Sequence, residues 1–393
     1  MPSPVFHATD DCAGIGTREA AALLGRLPLA WDCAAAGQSI AGRAVLITGA
    51  GGSIGGALAG TIAALRPARL ALLDHAEYPL WRTGQMLEEA YPGADHRTVV
   101  ADIRDAGRLR QVFAGFRPDL VFHAAALKHV PIVEAHPLEG LLSNAIGTRH
   151  VVDAAIMSGT RTVVLVSTDK AVAPASVMGA GKRLAEMYGQ AADRAMRDSG
   201  APTRCVSLRC GNVLASTGSV ARIFARQLAR GAKLTVTHPD MRRFFVTLEE
   251  AVRLLLAAAQ VAEAGLVPPA AVLLAQMGPP VRILDLACAM IRASGRDDPD
   301  VAIRITGPRP GERLDEAMHL DTDMPQPMPV AGLSAIAPHS AALALLIRAF
   351  DELEAACRAG QASGNPALAL ALVSRLIPEF DHCPEVRADR LRA

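Results

Sequence analysis

The sequence predicts an α/β fold, a Rossmann-type doubly wound parallel sheet with a smaller interleaved α/β lobe. A short apolar run at residues 44–48 enters a glycine-rich turn at 49–55, and small and apolar residues continue from 57 to 65 at helical spacing. Further apolar runs follow at residues 70–73, 98–101, 119–126 and 162–166. Such runs are typical of strands buried on both faces of a parallel sheet, so repeated βαβ units are expected.

Composition and charge exclude several kinds of partner. The 393 residues include 40 Lys plus Arg and 39 Asp plus Glu, a formal net charge of +1, without a long run of like charges. This balance argues against nucleic acid or a membrane surface as a partner. The most apolar stretches, around residues 254–275 and 341–346, are interrupted by charges and prolines or are too short to cross a bilayer. No membrane span is therefore expected.

The cysteines and the N-terminal region indicate a cytoplasmic protein. The chain has seven cysteines, without a C-x-x-C spacing or a paired histidine spacing, and its start lacks the pattern of a secretory signal. The cysteines are expected to be reduced and mostly buried, and no metal site is expected.

The turn at residues 49–55 has the pattern of a pyrophosphate site, with a purely structural loop as the alternative. Gly49 allows the tight turn, Gly52 lets backbone amides approach a pyrophosphate, and Gly55 lets the helix pack on the strand. Asp74 ends the second strand, where a carboxylate can accept hydrogen bonds from ribose hydroxyls and repel a 2′-phosphate. NAD is therefore favoured over NADP, unless Asp74 only caps the next helix.

Two more strand ends bring residues to the same edge of the sheet. Asp102 and Ile103 follow the third strand, and the Asp102 carboxylate either faces an adenine or caps the helix that begins after it. Ala124 and Ala125, at the exit of the fourth strand, are small enough to let a dinucleotide lie close. Lys128 follows them, either as a functional group or as a solvated surface residue.

The fifth strand delivers a group of titratable residues to this edge. It ends in Thr168, Asp169 and Lys170, and an ordinary surface turn is the alternative interpretation of this run. Met178 and Lys182 stand four residues apart and share one face of a helix that begins nearby. Alone, Lys182 would be a solvated helix lysine and Met178 a core methionine.

These motifs resemble the extended short-chain dehydrogenase/reductase superfamily, in which a serine or threonine after this strand accompanies a Y-x-x-x-K helix. Met178 occupies the Tyr position here. Residues 167–174 and 178–183 are most similar to polysaccharide-biosynthesis nucleotide-sugar 4,6-dehydratases, in particular the retaining UDP-N-acetylglucosamine 4,6-dehydratases, which typically carry this Met. The agreement extends through residues 123–131, 209–214, 218–220, 242–245 and 309–313. Many members have an N-terminal membrane region, so the chain is either a soluble short form or the soluble part of a membrane-anchored protein.

The resemblance implies NAD-dependent dehydration of UDP-N-acetylglucosamine to UDP-4-keto-6-deoxy-N-acetylglucosamine for surface polysaccharide or lipopolysaccharide biosynthesis. Asp169 would be the acid at the C6 hydroxyl and Lys170 the base at C5, with Thr168 at the C4 oxygen. The implied cofactor contacts are Gly49, Gly52, Ser53, Ile54, Gly55, Asp74, Asp102, Ile103, Ala124, Ala125 and Lys182. The implied UDP-sugar contacts are Lys128, Asn212, Ser219, Val220, Arg243, Arg309 and Glu312.

Some alternatives stay open at this point. Because Met178 cannot take a proton, the C4 hydroxyl proton goes through Thr168 to Lys182, to Asp169 or to an ordered water. A nucleotide-sugar C4 epimerase and a catalytically silent NAD-binding protein are the competing functions. The epimerase would have no use for an acid and a base aimed at C5 and C6.

The expected organisation has four parts, and the protein is expected to be a homo-oligomer. They are an N-terminal extension (1–41), a dinucleotide-binding domain (42–210, completed by about 245–276), a substrate-binding lobe (211–244 and 277–320), and a C-terminal linker with a helical extension (321–393). Within the last part, residues 341–359 suit an amphipathic helix that covers either a partner or the chain itself.

Overall fold

A computed structural model describes residues 23–26, 33–295 and 303–382 of the chain. The strands are β1 (Ala44–Thr48), β2 (Arg69–Asp74), β3 (His96–Val100), β4 (Leu120–His123), β5 (Thr162–Thr168), β6 (Arg204–Cys210), β7 (Asn212–Val213), β8 (Leu234–Val236), β9 (Arg242–Arg243), β10 (Phe245–Val246), β11 (Val272–Ala275), β12 (Val281–Arg282), β13 (Ile303–Ile305), β14 (Gln326–Pro327) and β15 (Leu333–Ile336).

The helices alternate with these strands through most of the chain. They are α1 (Cys33–Ile40), α2 (Ser53–Ala64), α3 (Glu77–Ala90), α4 (Ala106–Phe116), α5 (Val130–Ala135), α6 (Pro137–Leu141), α7 (Gly147–Met157), α8 (Val177–Asp198), α9 (Val220–Ala229), α10 (Leu248–Glu263), α11 (Ile283–Ala293), α12 (Leu343–Ser363) and α13 (Ala367–Leu376). A π-helical turn (Leu142–Ile146) leads into α7, and a 3-10 turn (Asp169–Ala171) follows β5.

The main sheet has nine strands in the order β14-β15-β11-β6-β5-β4-β1-β2-β3. Neighbours from β11 to β3 are parallel, whereas β15 runs antiparallel to β11 and β14. The strand order reverses at β1, which lies between β2 and β4. Open α/β sheets bind ligands at such a switch point. The prediction of a doubly wound parallel sheet is confirmed.

Helices cover both faces of this sheet, which explains why its strands lack polar alternation. All five residues of β1 are buried. On one face, Phe113 of α4, Val152 of α7 and Tyr188 of α8 belong to one buried cluster. On the other face, Leu58 of α2 and Leu255 of α10 belong to a second cluster. The apolar runs in the sequence therefore record burial on two sides.

A smaller lobe is built from segments that alternate in the chain with parts of the main body. Its three two-stranded sheets pair β7 with β10, β9 with β12, and β8 with β13. Helices α9 and α11 contribute Phe224 and Leu286 to a separate buried cluster, which also contains Leu234 of β8. Leu24 joins this cluster, and Arg26 bonds the buried Glu250 at 2.6 Å. Residues 1–22 and 27–32 of the predicted N-terminal extension lie outside the described residues.

The C-terminal part differs from the predicted linker and helical extension. Residues 326–336 contain β14 and β15, which lengthen the main sheet; β15 has only four residues, beyond a proline-rich stretch, so its pattern is weak. Helix α12 packs on the chain itself, with the Phe350 ring centroid 5.0 Å from that of Tyr188. Residues 383–393 lie outside the described part. None of the helices in the described ranges combines the length and apolarity needed to span a membrane.

Candidate active site

The glycine turn brings β1 and α2 against the exit of β4. Gly49 has φ +71°, and a Cβ atom there would lie 2.5 Å from the Ala125 nitrogen and 2.7 Å from the Ala124 carbonyl carbon. Gly52 occupies the N-cap position of α2 and has no side chain to cover the first amides, so Ser53 and Ile54 open the helix with free approach to their backbone. An anion can bind at a helix start of this kind.

Asp74 ties the second strand to this turn. Its Oδ2 accepts a hydrogen bond from the Gly51 amide at 2.9 Å, and its Oδ1 accepts one from the Ala76 amide at 3.0 Å. The N-cap position of α3 is Ala76, so the idea that Asp74 only caps this helix is wrong. The carboxylate therefore lies beside the turn at the tip of β2.

Asp102 is held by an arginine that the sequence analysis did not single out. Arg104 donates from Nε at 2.8 Å and from Nη2 at 2.6 Å to Oδ2 of Asp102. Burial raises the pKa of Asp102, but the hydrogen bonds and charge of Arg104 outweigh it and hold that pKa below its usual value. Asp105 caps α4 by accepting from the Arg108 amide, so the capping alternative for Asp102 is wrong. Ile103 beside it is buried.

The 3-10 turn after β5 holds the acid and base candidates in contact. Oδ1 of Asp169 accepts hydrogen bonds from Thr168 Oγ1 at 2.8 Å and from Lys170 Nζ at 2.9 Å. Asp169 is fully buried, and its Oδ2 lacks a hydrogen-bond partner among the described residues. A buried carboxylate oxygen without a partner is costly, which makes Asp169 a candidate functional group.

Helix α8 starts directly on this turn. Ser176 caps it by accepting from the Gly179 amide at 3.1 Å, and a Cβ on Gly179 would overlap the Lys170 carbonyl oxygen. Met178, only 5% exposed, belongs to the buried cluster on this face of the sheet. The glycine thus lets the start of α8 pack directly against the 3-10 turn.

Lys182 is a buried amine. It is 7% exposed. Burial lowers the pKa of Lys182 to about 8, and the nearby charge of Glu186 offsets only part of this effect. A buried lysine with a lowered pKa is typical of functional sites.

A hydrogen-bond chain beneath the turn was not recognised in the sequence. Thr48 Oγ1 lies 2.7 Å from His123 Nδ1, and Thr148 Oγ1 lies 2.9 Å from His123 Nε2. Burial, with a smaller contribution from the Lys182 charge, lowers the pKa of His123 to about 3. The imidazole is therefore neutral and structural. Asn144 accepts from the Leu127 amide and donates to its carbonyl, both at 2.8 Å, which fixes the exit of β4.

The opposite wall comes from the smaller lobe. Asn212 accepts a hydrogen bond from Lys170 Nζ at 3.1 Å. Lys128 Nζ lies 3.4 Å from Ser216 Oγ. Ser219 precedes Val220, the first residue of α9, and its Oγ is buried without a partner in the part of the chain that the structure describes. Two predicted contacts thus lie between the main body and the smaller lobe: Lys128 contacts Ser216, and Asn212 contacts Lys170.

The remaining predicted arginines behave differently. Arg243 is buried and donates from Nη1 to the carbonyl oxygens of Arg242 and Leu314 at 2.6 and 3.1 Å. Arg309 is exposed and pairs with Glu312, with Nη2 2.6 Å from Oε1. Gly311 lies in the same loop, and its surroundings include Ser176, so this loop approaches the start of α8.

One residue at the site was missed in the sequence. Oε1 of Glu316 lies 3.8 Å from Lys170 Nζ and 3.9 Å from Arg243 Nη2, and the Glu316 side chain is 6% exposed. Its only sequence signal is its position shortly after the motif at residues 309–313. It becomes visible as a site residue only when the lobe folds against β5.

The fold and this arrangement define a Rossmann-type protein of the extended short-chain dehydrogenase/reductase class. More specifically, the chain belongs to the polysaccharide biosynthesis protein family, whose model matches residues 45–337. It is 40% identical over 297 residues to the capsular polysaccharide biosynthesis protein CapD of Staphylococcus aureus, covering 75% of this chain and 48% of CapD. The chain thus spans about half the length of this relative.

Solved structures show the same architecture. Pen from Bacillus thuringiensis superimposes with a TM-score of 0.68 at 29% identity, covering 77% of this chain and 91% of Pen. DesIV from Streptomyces venezuelae, a dTDP-glucose 4,6-dehydratase solved with NAD bound, gives a TM-score of 0.59 at 24% identity, covering 70% of this chain and 87% of DesIV. The second likeness concerns the fold alone.

Proposed function

We propose that the protein is an NAD-dependent nucleotide-sugar 4,6-dehydratase that converts UDP-N-acetylglucosamine to the 4-keto-6-deoxy sugar with retention at C5. The observation that carries the proposal is the contact between Asp169 and Lys170, in which Asp169 keeps one buried oxygen unpartnered within the described residues. A site of this kind suits a reaction that removes a proton and a hydroxyl from adjacent carbons. Membership of the polysaccharide biosynthesis family supports a role in making a surface glycan.

The residues around the glycine turn fit NAD. Gly49 brings the turn against Ala124 and Ala125, and the start of α2 offers amides to a pyrophosphate. Asp74 lies where the adenosine ribose hydroxyls would come, and Asp102 with Ile103 lies at the next strand end, towards the adenine. Lys182 would bond the nicotinamide ribose. When bound, NAD would accept the C4 hydride and later return it to C6.

The chain's own groups would then handle protons and the leaving hydroxyl. Oxidation at C4 makes the C5 proton acidic, and Lys170 in its neutral form takes that proton. The Asp169 carboxyl gives a proton to the C6 hydroxyl, which leaves as water. Transfer of one proton from the ammonium of Lys170 to Asp169, across 2.9 Å, would produce both required forms together.

The smaller lobe supplies groups suited to a UDP-sugar. Ser219 and the amides at the start of α9 could bind a diphosphate, with Lys128 nearby. Arg309 and Glu312 form an exposed pair that could open towards a phosphate and a ribose, since an arginine fork makes paired bonds to phosphate. Arg243, Asn212 and Val220 complete the predicted set of contacts.

Met178 leaves the C4 hydroxyl proton to another group. The resemblance assigns Thr168 to the C4 oxygen, and the Thr168 hydroxyl donates to Asp169 at 2.8 Å. The Lys182 amine, whose pKa burial lowers to about 8, is the other candidate acceptor of the C4 hydroxyl proton. Both routes avoid the thioether, which stays a packing group.

The test is incubation of the purified protein with UDP-N-acetylglucosamine in deuterium oxide. A 4-keto-6-deoxy product that carries deuterium at C5 is the expected result, because the C5 proton exchanges through Lys170. Formation of UDP-N-acetylgalactosamine would replace the proposal with a C4 epimerase. Unchanged substrate on a protein that holds NAD would replace it with a silent NAD-binding role.

A further inference from the structure

Glu316 brings a second carboxyl group to the proposed base. Its Oε1 lies 3.8 Å from Lys170 Nζ, and Asp169 Oδ1 lies 2.9 Å from the same nitrogen. The Glu316 side chain is 6% exposed and that of Lys170 is 19% exposed. At such distances and burial, a charge on Glu316 acts strongly on the amine.

The protonation state of Lys170 decides whether it can act as a base. A neutral amine accepts the C5 proton, whereas an ammonium cannot. Each nearby carboxylate stabilises the ammonium and so opposes the form that reacts. Arg243 Nη2 lies 3.9 Å from the same Glu316 oxygen, so the carboxyl group is shared between Lys170 and Arg243.

We propose that Glu316 is a positioning residue for Lys170, which orients the amine from the lobe side and stabilises its ammonium form. This rests on the proposed dehydratase function for its catalytic meaning. Among the described residues, the charged groups that act on Glu316 besides Lys170 are Asp169 on the same turn as Lys170, Arg243 on β9, and Arg313. Cys210 at the end of β6 lies near Asp169. Asn212 on β7 is the neutral acceptor for Lys170.

The environment of Glu316 agrees with such a role. Burial raises the pKa of Glu316; the Lys170 charge lowers it, Asp169 raises it and Arg243 lowers it, with a net rise. Its carboxyl is therefore neutral over a wider range of pH than an exposed glutamate. Its hold on the Lys170 ammonium strengthens as pH rises and the carboxylate forms.

The test reads the ionisation of Lys170 directly in the full chain. Competitive acetylation with acetic anhydride at a series of pH values, followed by mass spectrometry of the Lys170 peptide, gives the midpoint at which the amine becomes reactive. In Glu316→Gln we expect this midpoint to fall by about one pH unit, the size of effect that a neighbouring charge produces. The basic limb of the kcat/KM profile for UDP-N-acetylglucosamine should move in the same direction, because the reactive pair needs the one proton that Asp169 and Lys170 share.

Further variants make the outcome decisive. Glu316→Asp keeps the charge and should keep the midpoint close to that of the wild type. Should the glutamine variant not fold, Glu316→Ala also removes the charge, and the same fall in the midpoint is expected of it. Glu352→Gln, an exposed glutamate that pairs with Arg375 on the C-terminal helices, is the matched control and should change nothing. An unchanged midpoint in Glu316→Gln, or an equal fall in Glu316→Asp, would overturn the inference.

The labelling does not depend on turnover. A wild-type protein that forms no 4-keto-6-deoxy product would overturn the proposed function, while the labelling midpoint would still decide the role of Glu316. A shifted midpoint without a shift in the kcat/KM profile would assign the effect to Lys170 ionisation but refute its link to catalysis.

Discussion

Lys170 Nζ lies 2.9 Å from Oδ1 of Asp169, while the other oxygen of this buried carboxyl has no partner among the described residues. We expect Asp169→Asn and Lys170→Met each to reduce dehydration by at least about 100-fold, the usual contribution of a general acid or base. Product formation is followed by the 4-keto-6-deoxy sugar. Near-normal turnover in either variant would refute the assigned proton roles.

Binding provides the control for these two variants. Neither side chain is needed to hold the dinucleotide, so NAD and UDP-sugar affinities measured by calorimetry should stay close to wild type. A parallel loss of binding and turnover would indicate a collapsed site instead of a missing proton donor or acceptor.

Met178→Tyr tests whether the site lacks a base for the C4 hydroxyl. Met178 is buried in the core cluster, so a larger phenol must displace neighbours and should lower the free energy of unfolding by about 1–3 kcal/mol. We expect no gain in turnover, because Thr168 and Lys182 already offer a route for the proton. Met178→Leu conserves volume and is the matched control for packing. A large rate gain in the tyrosine variant would show that the native site lacks a good base.

Burial of the Lys182 ammonium lowers the free energy of unfolding of the protein. Its pKa falls from 10.5 to about 8 on folding because burial disfavours the ammonium. The folded state therefore carries the full penalty below pH 8, loses it as pH rises from about 8 to 10.5, and carries none above. At about 1.4 kcal/mol per pKa unit, Lys182→Met should stabilise the cofactor-free protein by about 3 kcal/mol at pH 7. Urea unfolding of both proteins at pH 7 and pH 10 tests this. The difference in unfolding free energy between Lys182→Met and the wild type should be smaller at pH 10, and an equal difference at both pH values would contradict the prediction.

The local parts of the site could be predicted from the sequence because each follows from one strand end or one helix turn. Thr168, Asp169 and Lys170 are consecutive, and Met178 and Lys182 share a helix face by their spacing. The glycine turn is predictable because it stands between an apolar strand and a helical pattern. These features depend on short-range geometry, which periodicity and turn chemistry encode.

The parts that escaped prediction depend on contacts between distant segments. Glu316 meets Lys170 only because the lobe folds back on β5, and no local pattern distinguishes it from a surface glutamate. The pairing of Arg104 with the Asp102 carboxylate was likewise not predicted. Strand β15 has four residues and follows a proline-rich stretch, so tertiary pairing with β11 defines it rather than its own propensity.

A buried ion pair between Arg209 of β6 and Glu186 of α8 joins the sheet to this helix behind the site. Arg209 Nε lies 2.8 Å from Glu186 Oε1 and Nη2 lies 2.7 Å from Oε2, both side chains being almost fully buried, and Ser167 donates to Oε1 at 2.6 Å. Arg209→Met leaves a buried carboxylate without its main partner, so we expect a loss of about 3–5 kcal/mol in unfolding free energy. The double variant Arg209→Met with Glu186→Leu should recover much of it. An unfolding free energy of Arg209→Met equal to that of the wild type in urea unfolding would contradict the prediction.

Gly49→Ala tests the close approach on which the cofactor site depends. Gly49 has φ +71°, which costs an L-residue about 1–2 kcal/mol, and the new Cβ would lie 2.5 Å from the Ala125 nitrogen. The turn must move away from β4, so NAD affinity should fall more than tenfold, since about 1.4 kcal/mol corresponds to a factor of ten. Gly115→Ala is the matched control, because Gly115 lies in helix α4 with nothing within 4 Å of its Cβ position. Alanine there should leave NAD affinity unchanged and raise stability slightly. Calorimetric titration with NAD compares the two, and equal affinities would mean that the glycine turn does not contact the dinucleotide.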